Sequence, residues 1–447
     1  MSLLRRWFDP IRSSWFYQKP TRQTVLPTEQ GLSVYLRLDD VYSYLAAQQL
    51  PQLEEILSDE LKPLKVYISN QSGEPPNHMS AAEWQQYCLN DAQILSKQHR
   101  FSFHDTPEQP TAEALQQAET ILRNTPLRGQ DFLYLLEDVF HMLWQKQYGK
   151  LRTLYAMASR HHHEQQFPER VFNDDAVLAS YFEFSDRKYH AVDDLLRLTR
   201  RLKQQKLLTG NPIFLINHIE WREHSISDAE ELNEIQALDP ELDLYIALED
   251  PVSWLLLAYI KEELADYYNI QLTVYPLSYH GRDWFDWSLA TRLSKRTEVA
   301  FTPFCRPTKE ATYAMAQLYY LVPEEQRIAA MHRILQAVWT QGKDLSFKAH
   351  YQELQRELGL ELQEVKQEDI QAKLKENDVL CEMKSQPDFP VLELRIDGQS
   401  YTFNSLYRVW MIESIFSNVL EEKYKIENEA DYSRSIPEDK TNAEREM

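Results

Sequence analysis

The twelve residues Tyr35 to Ala46, YLRLDDVYSYLA, return as YIALEDPVSWLL from Tyr245 to Leu256, 210 residues later. A chain that repeats such a passage is expected to use one architectural unit twice. Each copy reads as a strand running into a helix. Alternation in Val34-Tyr35-Leu36-Arg37-Leu38 and Leu244-Tyr245-Ile246-Ala247-Leu248 sends successive side chains to opposite sheet faces. The turns fall on Asp39-Asp40 and Glu249-Asp250. Asp40 and Asp250 stand where an N-cap belongs, and Pro251 takes the first helical position, where its missing N–H costs nothing. The helices then read VYSYLAAQQLPQLEEIL and PVSWLLLAYIKEELADYY.

The correspondence extends in the same order. Leu64 to Tyr67 and Leu272 to Tyr275 are second strands, so each half holds a right-handed strand–helix–strand unit. Leu95-Ser96-Lys97 and Leu293-Ser294-Lys295 lie in helical stretches before Phe101-Ser102-Phe103 and Phe301-Thr302-Pro303-Phe304. Pro110 to Ala114 and Pro307 to Ala311 each open a long helical stretch, and further helices carry Trp144 and Trp339. Each half closes on a hairpin and a helix. Val391 to Ile396, a turn at Asp397-Gly398, and Ser400 to Phe403 form one hairpin. Ala179 to Phe184, a turn at Ser185-Asp186, and Lys188 to Ala191 form the other. The closing helices are expected over Asp193 to Gln205 and Ser405 to Glu421.

These elements divide the chain into an extension (1–31), a first domain (32–210), a connection (211–240), a second domain (241–425) and a charged tail (426–447) expected to be disordered. At 447 residues more than one core is expected. A net charge of −21 argues against a general nucleic-acid backbone binder and against an anionic membrane surface. The basic face of Arg197, Arg200, Arg201, Lys203 and Lys206 is isolated. Cys88, Cys305 and Cys381 make no C-x-x-C, and the N-terminus lacks the apolar core of a signal peptide, so a soluble cytoplasmic protein is expected. His161-His162-His163 are adjacent and cannot all converge on one ion, so no metal is expected.

The order of elements and the repeated motif resemble the thioredoxin fold of the DsbA-like group, in the branch of 2-hydroxychromene-2-carboxylate isomerase and kappa-class glutathione transferase. Members open with a strand and then Ser-Pro-Tyr-Ser-Trp or Tyr. Here Asp40-Val41-Tyr42-Ser43-Tyr44 and Asp250-Pro251-Val252-Ser253-Trp254 occupy that place. The aromatic hairpin before Val192-Asp193-Asp194-Leu195 also resembles the family's closing segment. The resemblance implies two tandem α/β thioredoxin-like domains, each with an all-helical insertion, and glutathione as the cofactor. In the family the first Ser of the motif binds the sulfur of glutathione, and redox relatives carry Cys there.

Both copies depart from that pattern by carrying Asp. Helix-end N–H groups and the helix dipole favour a carboxylate, which repels a thiolate. Asp40, Asp250 and Ser253 are the residues through which any chemistry would pass; Ser43, Tyr42, Trp254, Pro390 and Val391 would line a ligand, a small thiol or an aromatic compound. Pro390 would stand at the cis-proline place of the fold, where the first half offers Leu178 or Ala179. Capping explains the aspartates without chemistry, and core packing explains the aromatics. Two functions stay open: a thiol-dependent isomerase or transferase, and a non-catalytic tandem binding protein whose halves pack as a pseudo-dimer.

Overall fold

The computed structural model describes residues 31–69, 75, 80–99, 101–104, 106–160, 180–185, 187–210, 226–280, 287–302, 306–360, 367–384, 390–404 and 408–435. The His161–His163 run, Cys305, Leu178 and Ala179 lie outside them. The chain divides into two compact units, one holding the described residues up to 210 and the other those from 226 onward.

In the first unit β1 (Ser33–Arg37) runs into α1 (Val41–Ala47) and then α2 (Leu50–Ile56). The expected single helix is thus two, parted at Gln48–Gln49, with Pro51 in the first turn of the second. Pro51 has no N–H to donate to the Ala47 carbonyl and its ring crowds that carbonyl, so a helix cannot run through unbroken and restarts with the proline in its first turn. β2 (Lys65–Ser69) returns parallel to β1, pairing Tyr35 with Tyr67. Four helices follow: α3 (Ala81–His99), α4 (Ala112–Asn124), α5 (Gly129–Trp144) and α6 (Tyr148–Ala158). The hairpin β3 (Tyr181–Phe184) and β4 (Arg187–His190) lies antiparallel on the other side of β1, and α7 (Leu195–Gln204) closes the unit.

Sheet order is β2-β1-β3-β4. Tyr35 stacks on Tyr67 and Tyr181 across the three strands, with ring centroids 4.7 and 4.5 Å apart. This ladder is what the register of the strands produces when tyrosines stand directly opposite one another.

The second unit begins earlier than its expected boundary. Within the stretch assigned to a connection, Asp228 caps α8 (Ala229–Ala237), which packs on this unit: Gln236 donates to the Tyr267 carbonyl, and Lys423 pairs with Glu234 at 2.8 Å. In the sequence this capped, acid-led helix reads as a charged linker. β5 (Glu241–Ile246) then enters α9 (Pro251–Tyr259), which continues through a π-helical turn, Ile260–Ala265, to Tyr268.

β6 (Gln271–Pro276) pairs parallel with β5. After it come α10 (Trp287–Thr297), α11 (Lys309–Leu321), α12 (Arg327–Trp339), α13 (Lys348–Glu357) and α14 (Gln367–Glu382). Thr111 and Thr308 cap α4 and α11 alike, accepting from Ala114 and Ala311. The hairpin β7 (Val391–Ile396) and β8 (Gln399–Asn404) turns on Asp397 and Gly398, whose φ of 50° and 70° are the pair a two-residue turn of this hand needs. The last helix, α15 (Met411–Ser435), continues past Ile426. Sheet order is β6-β5-β7-β8. Each unit is therefore a mixed α/β body around one four-stranded sheet, with a parallel pair on one side of the central strand and a hairpin on the other. No helix among the described residues is long and apolar enough to cross a membrane.

Candidate functional site

The two strand-to-helix turns have almost the same backbone. Asp40 has φ −102° and ψ 121°, and Asp250 has φ −101° and ψ 122°. Asp40 accepts from the N–H of Tyr42 at 3.4 Å and of Ser43 at 2.9 Å. Asp250 accepts from Val252 and Ser253, both at 3.2 Å. Each serine hydroxyl then donates to its own aspartate, Ser43 at 2.8 Å and Ser253 at 3.2 Å. Ser43 Oγ also accepts the N–H of Arg37 at 2.9 Å, which ties the helix start to the strand end. Both serines are fully buried. The helix-end donors that could meet an anion are held by the chain's own carboxylates.

The motif aromatics are likewise engaged within their units. Tyr42 donates to Asp91 of α3 at 2.6 Å, both groups being buried, and its ring meets His190 edge-on at 5.4 Å. Tyr44 lies parallel to Trp144 and accepts from Gln145 at 3.3 Å. Trp254 donates its indole N–H to the Ala300 carbonyl at 3.0 Å, and its ring lies 5.1 Å from His332. His332 hydrogen-bonds Glu262, presented by the π-helical turn, at 3.0 Å. Burial holds the imidazole below its usual pKa, the charge of Glu262 opposing that shift.

Register decides what corresponds to Pro390. β1 pairs Tyr35 with Tyr181, and β5 pairs Tyr245 with Val391, so Ser180 is the counterpart of Pro390, at the same offset of 210 as the motifs. The expectation of Leu178 or Ala179 at that place is corrected by one or two residues. Ser180 is fully buried, and its hydroxyl finds no hydrogen-bond partner. Pro390 is buried at the mouth of β7, while Val391 has register partners on both sides, Tyr245 and Asn404. β7 is therefore an inner strand, paired along both sides.

One group in this region is not legible in the sequence, where the first acid of each pair reads as turn alone. Glu249 is 1% exposed. Its Oε1 accepts the N–H of His280 at 2.8 Å, and its Oε2 has no partner. Asp378 of α14 accepts the N–H of Ser278 at 2.9 Å, with His280 Nε2 3.9 Å away. The adjacent acids Glu249 and Asp250 were visible in the chain, but burial of the first was not.

Neither described thiol is available for nucleophilic chemistry. Burial, with Asp40 and Asp91 beside it, pushes the Cys88 thiol well up; burial, with Asp378 and Glu382 nearby, pushes Cys381 up to about 12. No group of three or more metal-ligating side chains occurs among the described residues.

No family model matches the chain, and no curated protein does. Solved structures do. 2-Hydroxychromene-2-carboxylate isomerase matches at 14% identity over 42% of this chain and 98% of its own, with a TM-score of 0.32. A putative protein disulfide isomerase from Nitrosomonas europaea matches at 14% over 41% and 98%, with a TM-score of 0.33. The cytosolic disulfide reductase DsbM from Pseudomonas aeruginosa matches at 14% over 42% and 99%, with a TM-score of 0.32, and is also seen with GSH. The chain is similar, over roughly two-fifths of its length, to nearly the whole of these isomerase and disulfide-reductase structures.

Proposed function

We propose that the chain is a tandem of two DsbA-like thioredoxin-fold units of the 2-hydroxychromene-2-carboxylate isomerase and kappa-class glutathione transferase kind, in which thiol chemistry at the helix end has given way to binding. Support for the fold comes from the shared order of elements in each unit and from the motifs Tyr42-Ser43-Tyr44 and Pro251-Val252-Ser253-Trp254 at the same turn. One observation carries the functional reading. In both units the helix-end N–H groups and the motif serine are hydrogen-bonded to an aspartate. A thiolate approaching that point would meet a carboxylate and no free donor. The ligand we assign is glutathione or a similar small thiol or peptide, held at the second unit between the Asp250 turn and Pro390. A cytoplasmic setting fits the two buried, unpaired cysteines.

A second reading keeps isomerase or transferase activity with glutathione, on the strength of Pro390 standing just before β7, the strand that pairs with β5. Calorimetric titration with glutathione and S-methylglutathione separates the two, combined with an assay for cis–trans isomerisation of 2-hydroxychromene-2-carboxylate. Binding that Pro390→Ala weakens, without turnover, supports the binding protein. Turnover that Ser253→Ala abolishes would establish the enzyme. Absence of binding at millimolar ligand overturns both.

A further inference from the structure

In a chain with 69 acids and 48 bases, an arginine held in place without a carboxylate needs a reason. Arg333 and Arg395 of the second unit pair with acids. Arg327, at the start of α12 in the same unit, does not. Its guanidinium is half-buried over Tyr319 and Tyr320 of α11, 5.7 and 5.8 Å from the two ring centres, and those rings stand at 73° to each other. Rings meet the face of a guanidinium, whereas its five N–H donors lie in its plane and stay unspent. The Nε is buried with no acceptor, and the two Nη groups, equally without one in the protein, open to solvent.

A second cation leans on the same ring. Lys373 of α14, an exposed residue, holds its ammonium 4.9 Å from the Tyr320 centroid and pairs with neither Asp369 nor Glu376, one helical turn to either side. The Tyr320 hydroxyl accepts from Asn377 at 2.8 Å, which leaves its own proton to give. Burial, with Glu376 and Asp378 near Tyr320, raises that hydroxyl and keeps it protonated. The platform is fixed to the sheet, since Tyr319 donates to the Val274 carbonyl at 2.6 Å and Asn377 to the Pro276 carbonyl at 2.8 Å, both on β6. Two positive charges and a hydroxyl donor thus gather about one ring with no acceptor of their own.

We propose that Arg327, Lys373 and the Tyr320 hydroxyl form a phosphoryl-binding site on the second unit. A phosphoryl dianion balances both cations, and its terminal oxygens match a guanidinium fork, an ammonium and one hydroxyl; a carboxylate offers one charge and two oxygens. The ligand class is inorganic phosphate or a small phosphate monoester. The site uses none of the residues of the Asp250–Pro390 edge and stands or falls apart from the glutathione reading.

The test is phosphorus NMR titration of the full chain with inorganic phosphate and with phenyl phosphate at constant ionic strength, with acetate as competitor. Wild type binds both phosphates, and acetate competes at least about tenfold more weakly. Tighter phenyl phosphate assigns a monoester; tighter inorganic phosphate assigns the free ion. Arg327→Gln weakens binding about tenfold or more, the loss of a charged fork. Lys373→Glu, on an exposed side chain, does the same by setting a carboxylate in the place of the anion, and it decides should Arg327→Gln fail to fold. Lys375→Glu makes the same change of charge at an exposed position off the ring and leaves binding within about twofold, since surface charges are screened. No binding at millimolar phosphate, equal weakening by Lys373→Glu and Lys375→Glu, or acetate competing as well as phosphate overturns the proposal.

Discussion

Replacing Tyr42 by phenylalanine keeps the ring and deletes one atom. That atom donates to Asp91 at 2.6 Å, between residues 6% and 4% exposed. A hydrogen bond to a charged group in such surroundings contributes about 1.5–3 kcal/mol, because the carboxylate that loses its donor stays buried. The bond joins α1 to α3, so the loss should appear as faster amide exchange in those two helices, by about tenfold to a hundredfold, while α9 of the other unit is unchanged. Hydrogen exchange read by mass spectrometry localises the effect without requiring two-state unfolding of a two-unit chain. Asp91→Asn in the Tyr42→Phe background should cost less than Asp91→Asn alone, the coupling being about 1–2 kcal/mol. If Tyr42→Phe leaves α1 and α3 protected within a factor of about two, the hydroxyl is not a structural tie. Tyr42 would then return as a ligand-facing group.

Other outcomes follow from the same geometry. In a Cys305→Ala background, neither Cys88 nor Cys381 should react with a disulfide reagent at pH 8 in the native state, and both should react once unfolded, since burial keeps them protonated. Asp250→Ala should lower the stability of the second unit by about 1 kcal/mol and Asp250→Asn by much less, as for any N-cap, measured by urea unfolding. Glu393 is pushed up by burial but held below the usual carboxylate range by hydrogen bonds from Lys384 at 2.6 Å and Ser400 at 2.8 Å. With the folded value depressed, its contribution is present above the unfolded pKa of about 4.3 and is lost as pH falls through the folded one, so Lys384→Met should flatten the loss of unfolding midpoint below that pH. His332, lowered chiefly by burial, contributes stability above its unfolded pKa of about 6.5 and loses it on acidification; His332→Asn should remove the part of the decline that begins there.

What the sequence discloses depends on whether a signal is local. Strand alternation, the two aspartate caps and the Asp397-Gly398 turn are set by neighbours a few residues apart, and all are read from the chain directly. The break at Gln48–Gln49 was hidden under a continuous apolar pattern, although Pro51 marked it. α8 was hidden because acids in a first helical turn look like a charged linker when Asp228 is not weighed as a cap. The place of Ser180 needed register, since the first hairpin has strands of four residues and the second of six. Glu249 needed burial, which no local pattern supplies. Thus the frame of the site was legible and its electrostatics were not.

Arg37 gives the sharpest test of those electrostatics, because it makes a demand on the first unit that Ala247 does not make on the second. A guanidinium 2% exposed persists only where acceptors meet it, since an unpaired charge removed from water costs several kcal/mol. Arg37→Met keeps the volume roughly and removes the charge. Removing one side of a buried charge pair costs about 3–5 kcal/mol, and a loss of that size is expected if an acid meets the guanidinium. The first unit should then lose its cooperative unfolding transition at low urea, while the second keeps its own. Ala247→Met should cost only the strain of overpacking, about 1–3 kcal/mol, and add no salt dependence. A neutral Arg37→Met would mean that the buried cation balances no acid at this turn.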